Sequence, residues 1–331
     1  ILEENSMHSE LPNYQNIVES VVTEITTQLL NYRSEHRLVP FWEKSDGSFI
    51  TAADYGSQYY LKQQLAKAFP NIPFIGEETL YPDQDNEKIP EILKFTRLLT
   101  SSVSRDDLIS TLVPPPSPTS LFWLVDPIDG TAGFIRHRAF AVAISLIYEY
   151  RPILSVMACP AYNQTFKLYS AAKGHGLSIV HSQNLDRRFV YADRKQTKQF
   201  CEASLAALNQ QHHATRKLSL GLPNTPSPRR VESQYKYALV AEGAVDFFIR
   251  YPFIDSPARA WDHVPGAFLV EEAGGRVTDA LGAPLEYRKE SLVLNNHAVI
   301  LASGDQETHE TTLAALQNQL NVVPTDKLIA L

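Results

Sequence analysis

The stretch that decides how this chain is read is WLVDPIDGTAGF, Trp123 to Phe134. The apolar run Leu121 to Val125 ends in two aspartates, Asp126 and Asp129, with Pro127 between them and Gly130-Thr131 behind. A short apolar run bounded by turn residues predicts a strand. A strand that delivers carboxylates at its end, in place of an ordinary polar turn, points to a positive charge there. Pro127 fixes its own φ and has no amide hydrogen to donate, so a tight turn can aim Asp126, the Ile128 carbonyl and Asp129 at one or two ions. Gly130 and Thr131 would then offer backbone amides to an anion where a helix begins. The same residues also fit a decorated turn, and the motif alone does not choose between the two.

The bulk composition narrows the field. A chain of 331 residues, 44% of them hydrophobic, can bury a large core and is long enough for two domains. A formal charge of -7 leaves no basic footprint, which argues against nucleic acid or a membrane surface as a partner, and a small anionic ligand would need a local positive centre such as a metal. Two cysteines, Cys159 and Cys201, make no disulfide framework, so a reducing, cytoplasmic setting is the expectation. The longest apolar run, Ala139 to Tyr148, is far short of the roughly 20 residues that cross a bilayer. The opening residues ILEENSMHSE lack the pattern of a secretory signal, and Met7 is a candidate start. Oligomeric state is not written in the sequence.

Apolar residues at Ile17, Val18, Val21, Val22, Ile25, Leu29 and Leu30 predict an amphipathic helix over Tyr14 to Arg33. Asp54 is a candidate cap for a second helix, Tyr55 to Phe69. A strand over Ile72 to Ile75 then delivers Gly76-Glu77-Glu78. Tyr81 to Ser120 reads as an insertion with a helical piece and a proline loop, VPPPSPT, and is a candidate lid. Strands are expected at Leu121 to Val125, Ala139 to Tyr148, Ile153 to Ala158 and Thr165 to Ser170. From Ala171 onward strand and helix alternate: strand Phe189 to Ala192, helix Gln196 to Leu208, a second proline loop GLPNTPSPRR, helix Glu232 to Glu242, strand Val245 to Arg250, helix Asp262 to Ala273, strand Ala298 to Ser303 and helix Glu307 to Leu320. The expectation is an N-terminal α+β domain, 1–170, carrying an insertion at about 81–120. A C-terminal α/β domain with a largely parallel sheet, 171–331, follows it.

Several familiar chemistries are absent. No phosphate-binding G-x-x-x-x-G-K-[ST], zinc-binding H-E-x-x-H, C-x-x-C or G-x-S-x-G occurs, and GHGLSI lacks the third glycine of a dinucleotide fingerprint. What remains is a set of acids at predicted strand ends and helix starts: Asp54, Glu77, Glu78, Asp126, Asp129 and Asp262. Oxygen ligands without His or Cys select hard cations, magnesium among them. Each acid also has a plainer reading as a turn residue or cap, which is accepted for Asp46 and Asp279 and stays open for Asp262. Ser233 and Lys236, three apart on one predicted helix, fit a solvated face as well as a ligand contact. Arg250 at a strand end is the better ligand candidate, whereas Glu271 and Glu272 read as surface.

Taken together and in this order, KSDGSFITAADYGSQ, FIGEET, FWLVDPIDGTAGF and AWDHVPGAFLVEEAGGRVTD resemble the inositol monophosphatase superfamily of magnesium-dependent, lithium-sensitive phosphatases. The resemblance spans Lys44 to Asp279. It implies a five-layered αβαβα sandwich of the sugar-phosphatase type, mixing α+β and α/β features. It implies two or three magnesium ions held by Glu77, Asp126, the carbonyl of Ile128, Asp129 and Asp262. Asp54 and Thr131 match the pair that orients the attacking water beside Glu77, with Gly130 and Thr131 on the phosphate.

Within the superfamily, ESQYKYALVAEGAVDFFIRYP is similar to the 3'(2'),5'-bisphosphate nucleotidase branch, which removes the 3'-phosphate of adenosine 3',5'-bisphosphate and belongs to sulfur metabolism. On that resemblance Ser233, Lys236 and Arg250 contact the nucleotide. The rival readings are an inositol monophosphatase, an inositol polyphosphate 1-phosphatase, and a catalytically silent nucleotide sensor. Ala132 and His137 depart from the Lys-Gly-Phe-Leu-Arg-Gly expected after the DPIDGT motif. The branch often carries a histidine after the first strand of its second domain, where Arg194 or Lys195 is the candidate substitute.

Overall fold

The computed structural model describes residues 2–160, 165–190, 196–204, 209–251, 258–294 and 299–321. The chain opens with α1 (Leu2–Ser34), which contains Pro12 and buries Val18, Val22, Ile25 and Leu29 completely. A small hairpin, β1 (Trp42–Glu43) with β2 (Phe49–Ile50), follows, and then α2 (Ala52–Ala68). The cap of α2 is Thr51, not Asp54: the Thr51 hydroxyl accepts from the Ala53 and Asp54 amides, while the Asp54 carboxylate reaches back to the Thr51 amide. This reciprocal box holds Asp54 at the third helical position, one turn inside the reading from sequence.

Next come β3 (Phe74–Gly76) and the insertion, which is three helices: α3 (Pro82–Asp85), α4 (Ile89–Leu99) and α5 (Arg105–Thr111). After the proline loop the first sheet is completed by β4 (Leu121–Asp129), the short α6 (Thr131–Ile135), β5 (Ala141–Tyr148), β6 (Arg151–Pro160), β7 (Phe166–Ala172), β8 (Leu177–His181) and β9 (Arg187–Val190). Its seven strands lie in chain order, and the β3–β4 pair is parallel while the others are antiparallel. The change of texture at Ala171 therefore falls inside β7, and the sheet runs on to Val190. The expected strand Phe189 to Ala192 is the edge of this first sheet as far as it is described.

The second sheet is built from β10 (Gln199–Glu202), α7 (Asn209–Leu220), β11 (Ser227–Arg230), α8 (Tyr235–Ala241) and β12 (Phe247–Arg250). A 3-10 turn at Ala260–Asp262 then leads into α9 (Val264–Glu272), β13 (Arg276–Asp279), β14 (Ile300–Ser303) and α10 (Gln306–Leu320). The strand order is β11-β10-β12-β14-β13, with two parallel and two antiparallel pairs, so the sheet is mixed and not largely parallel. The helix expected over Gln196 to Leu208 is instead β10 at its centre. Phe200 and Cys201 alternate between two different cores, a two-residue period too brief to stand out from the polar residues around it. The second proline loop likewise contains an exposed edge strand, β11, where proline is tolerated.

Layering follows from which core each face fills. One core joins α1, α2 and α4 to the first sheet, and a second joins that sheet to α8, α9 and the second sheet. A third joins the second sheet to α7 and α10. The result is αβαβα. The insertion packs α4 on α2, and none of residues 81–120 lines the cavity described below. Among the described residues no helix is long and apolar enough to cross a membrane.

Gly56, in the middle of α2, marks the close approach of α4. A Cβ there would lie 2.9 Å from the Thr96 hydroxyl and collide with the Phe95 ring. Replacing glycine with alanine inside a helix ordinarily stabilises by about 1 kcal/mol, but overpacking a tight contact costs about 1–3 kcal/mol. Gly56→Ala is therefore expected to lower stability on urea unfolding. A raised midpoint would show that α4 gives way freely.

Candidate active site and metal centre

Strand periodicity brings the acids together. Along β4, Trp123 and Val125 fill the core under α1 and α2, whereas Phe122 and Leu124 pack with Ala260 and Val264 on the opposite face. Asp126 continues the second series, so it faces the segment that carries Asp262. On the neighbouring strand Ile75 shares that face, and β3 pairs with β4 in parallel at Ile75↔Leu124 and Gly76↔Val125. One more step in that register sets Glu77 beside Asp126, and the Glu77 amide donates to the Val125 carbonyl at 3.2 Å. Carboxylate oxygens of Glu77, Asp126 and Asp262 all lie within 4.8 Å of one another.

Asp129 needs a further device, because residues three apart on a regular strand point to opposite faces. The strand pairs Asp126↔Ala143 and Asp129↔Ala141, three steps against two, so a bulge restores Asp129 to the face of Asp126. Pro127, which has no amide for the ladder, sits inside that bulge. The tight turn read from the sequence is thus a bulged strand that continues through Asp129. Its partners Ala141 and Ala143 are small, leaving room for what the acids face. Gly130 follows with φ +83°, a conformation that favours glycine, and a Cβ there would sit 2.8 Å from that of Ser233.

The remaining residues ring this cluster. The Thr131 hydroxyl lies 3.0 Å from Asp54 Oδ1 and 3.1 Å from the Ile128 carbonyl, so its single proton serves one of the two at a time. Lys44, carried by the β1–β2 hairpin, approaches Glu77 at 3.3 Å and Glu78 at 3.0 Å. Gln58 clamps both backbone polar groups of Glu78, at 2.5 and 2.8 Å, and so fixes the adjacent Glu77. Gln234 donates its backbone amide to Asp129, its side-chain amide to the Trp261 carbonyl at 2.7 Å, and accepts from the Gly266 amide at 3.1 Å. Lys44, Gln58 and Gln234 are the functional residues that sequence reasoning missed. Amides and a lone lysine carry no motif of their own, and only their contacts expose them.

Burial and mutual repulsion dominate the electrostatics. Burial pushes the Asp126 carboxyl well above its ordinary range, and Glu77, Asp129 and Asp262 push it further. Asp262 is raised in the same way by burial, then Glu77 and Asp129. Burial raises Asp129 to about 6 against the opposing Gln234 amide and Lys236, and raises Asp54 to about 6 against Thr51 and Lys44. Crowded carboxylates with oxygen donors and no histidine or cysteine among the clustered ligands match a hard divalent cation. The fit is chemical: such an ion offsets the repulsion that burial imposes.

A cavity of about 280 Å³ opens beside the cluster and is lined by Asp129, Gly130, Ser233, Lys236, Arg250 and Asp262 among others. The expected nucleotide contacts therefore share one space with two of the expected metal ligands. Ser233 is not on a helix with Lys236, as its spacing had suggested: it occupies a left-handed position, φ +65°, just before α8. Lys236 is buried, and its ammonium donates to the carbonyls of Ser233 at 2.6 Å and Val231 at 3.2 Å. It holds that turn as well as facing the cavity. Ala132 lines the cavity where a lysine was expected, and His137 turns back to the His36 carbonyl at 2.7 Å. Asp46 and Asp279 are turn residues, accepting amides from Ser48 and from Leu281 and Ala283. Glu271 is exposed and Glu272 accepts the Gly174 and Gly176 amides. Arg194 and Lys195 lie outside the described residues.

Comparison with known proteins agrees with this geometry. Residues 13–321 match the family model described as the inositol monophosphatase family. A 3'(2'),5'-bisphosphate nucleotidase of Schizosaccharomyces pombe is 31% identical over 288 residues, covering 78% of this chain and 81% of the relative. One from Dictyostelium discoideum is 30% identical over 279 residues, covering 78% and 83%. Among solved structures, an IMPase of Thermotoga maritima superposes with a TM-score of 0.64 at 17% identity, covering 93% of this chain and 98% of that one. The inositol monophosphatase of Anabaena gives 0.61 at 19% identity, covering 96% and 99%.

The raised carboxyl groups set the sign of a pH effect. A group that binds its proton more tightly when folded stabilises the folded state at low pH and loses that contribution as pH rises from its unfolded to its folded pKa. For Asp54 and Asp129 the window runs from about 4 to about 6, and Asp126 and Asp262 shift in the same direction. The metal-free protein is expected to melt at lower temperature at pH 7.5 than at pH 5.5, with magnesium raising the pH 7.5 value by mass action. Asp126→Asn should raise the metal-free melting temperature at pH 7.5 and abolish most of the magnesium effect. An unchanged magnesium response in that variant, read by thermal melting, would remove Asp126 from the metal site.

Proposed function

The chain belongs to the inositol monophosphatase family of phosphoric monoester hydrolases, and from that footing we propose that it is a magnesium-dependent 3'(2'),5'-bisphosphate nucleotidase. It takes the 3'-phosphate from adenosine 3',5'-bisphosphate, giving AMP and phosphate, and accepts the sulfated relative of that nucleotide. The observation that carries this reading is one cavity in which Asp129 and Asp262, the latter a member of the carboxylate cluster, meet two cationic side chains, Lys236 and Arg250. The reacting phosphate belongs at the acids and the retained 5'-phosphate at the cations, with ribose and base between. The names borne by relatives at about 30% identity support the same choice over an inositol phosphate.

Magnesium, two or three ions, supplies Lewis-acid charge neutralisation and a water of lowered pKa when bound. Glu77, Asp126, the Ile128 carbonyl, Asp129 and Asp262 are the groups that would hold it. Thr131 stands 3.0 Å from Asp54, so its oxygen can take a proton from the attacking water while its own passes to Asp54 Oδ1. Glu77 orients that water with them. Gly130, the residue before α6, would give its amide to the phosphate. No covalent intermediate is required: positioning and charge neutralisation supply the rate.

The test is phosphate release from adenosine 3',5'-bisphosphate, its sulfated relative, inositol phosphates and fructose 1,6-bisphosphate, with and without chelator. Failure to release phosphate from any of them would favour a silent sensor, and a preference for inositol phosphates would favour that rival. Arg250→Ala provides the sharper probe. A lost charge-assisted contact costs about 1.5–3 kcal/mol, a tenfold to hundredfold drop in kcat/KM. That drop is expected for adenosine 3',5'-bisphosphate and not for adenosine 3'-monophosphate. Lys236→Met should impair both substrates, because its ammonium also props the turn that sets the Gln234 amide on Asp129. Equal losses in Arg250→Ala would withdraw the 5'-phosphate assignment.

A further inference from the structure

The segment VPPPSPT, residues 113–119, takes no part in the site and is anchored at both ends. On one side the Lys62 ammonium donates to the Thr111 carbonyl at 2.6 Å, and the Leu80 amide to the Leu112 carbonyl at 2.8 Å. On the other, the Tyr150 hydroxyl donates to the Pro118 carbonyl at 3.4 Å, and the Glu149 amide to the Ser120 carbonyl at 2.7 Å. Between these anchors residues 113–117 are exposed, and among the hydrogen bonds of the described residues none engages the backbone of 114–117. Prolines at 114, 115, 116 and 118 each fix their own φ, and each also restricts the residue before it to extended backbone. Every residue from 113 to 118 is thus constrained toward a polyproline II helix, which needs no internal hydrogen bonds and leaves its carbonyls open.

We propose that this strap is a docking site for a partner that reads polyproline II through a groove of stacked aromatic rings, without a counter-charge. The chain carries no charged residue from Leu108 to Val125. The lysines beside the strap are engaged, Lys62 on the Thr111 carbonyl and Lys289 over the Tyr150 ring, so grooves that read Pro-x-x-Pro with an adjacent arginine or lysine find none within the strap, and recognition rests on prolyl rings packed on aromatic faces and on bonds to the open carbonyls. A strap already held extended loses little freedom on binding. It precedes β4 at the end opposite the acids, eight residue steps from Leu121 to Asp129, which at ~3.3 Å each is roughly 26 Å. The partner recruits the protein and leaves the cavity open.

The experiment is calorimetric titration of the full chain with profilin, a charge-independent polyproline reader, with a decaproline peptide as positive control. Binding is expected for the wild type, weakened at least tenfold in the P115A/P116A double variant and retained or tightened in Ser117→Pro, which extends the proline run. Melting temperature and phosphatase activity should be unchanged in both variants. The proposal fails if profilin binds decaproline but not the full chain, or if P115A/P116A binds as tightly as wild type. It also fails if the strap is captured only by an SH3 domain, or only by a phosphoserine-reading WW domain after Ser117 is phosphorylated.

Discussion

Repulsion among carboxylates that share one buried face is the constraint to which the rest of the structure answers. Burial raises the proton affinity of Asp126, Asp129 and Asp262, and the charge of Glu77 beside them raises it further. Such a cluster persists only where the backbone leaves its members no alternative position. Each acid is accordingly fixed by groups that do not themselves reach the centre. Gln58 holds the turn beside Glu77, the Thr51 box holds Asp54, the bulge directs Asp129, and Gln234 joins Asp129 to the segment that bears Asp262. Packing from two cores supplies the free energy that keeps these charges close.

The site also binds the layers together. Glu77, Asp126 and Asp129 come from the first sheet and its edge, whereas Asp262, Lys236 and Arg250 come from the segments around α8, β12 and α9. Phe122 and Leu124 packed on Ala260 and Val264 form the joint. A cavity that draws Asp129 from one layer and Asp262, Lys236 and Arg250 from the next exists only when both are docked. Function is then as cooperative as the fold.

Much of this was legible in the sequence, for reasons that differ by element. The run ending at Asp126 and the acids at strand ends were readable because strands have a fixed period and charged residues seldom close one. Four ordered motifs carried the family and with it the layered fold. The boundary at Ala171 failed because β8 and β9 are short, with β9 largely exposed, and look like any polar hairpin. The helix expected at Gln196 to Leu208 failed because β10 is four residues long, too few to assert a period. Asp54 looked like a cap, since the Thr51 side chain that performs the task is visible only through its bonds. Ser233 and Lys236 looked like helix neighbours, since nothing in their spacing announces a left-handed residue.

The bulge in β4 has a consequence for what kinds of change this chain can absorb. Faces of a strand alternate like odd and even numbers, and the extra residue between Asp126 and Asp129 reverses the parity at one place. Side-chain identities inside the bulge can drift as long as that count stands. Straightening the bulge with all its residues in place would send Asp129 to the far side of the sheet without changing a single amino acid. The motif is therefore a backbone shape before it is a pattern of letters, and changes that let the strand pair regularly threaten it more than changes of side chain within it do.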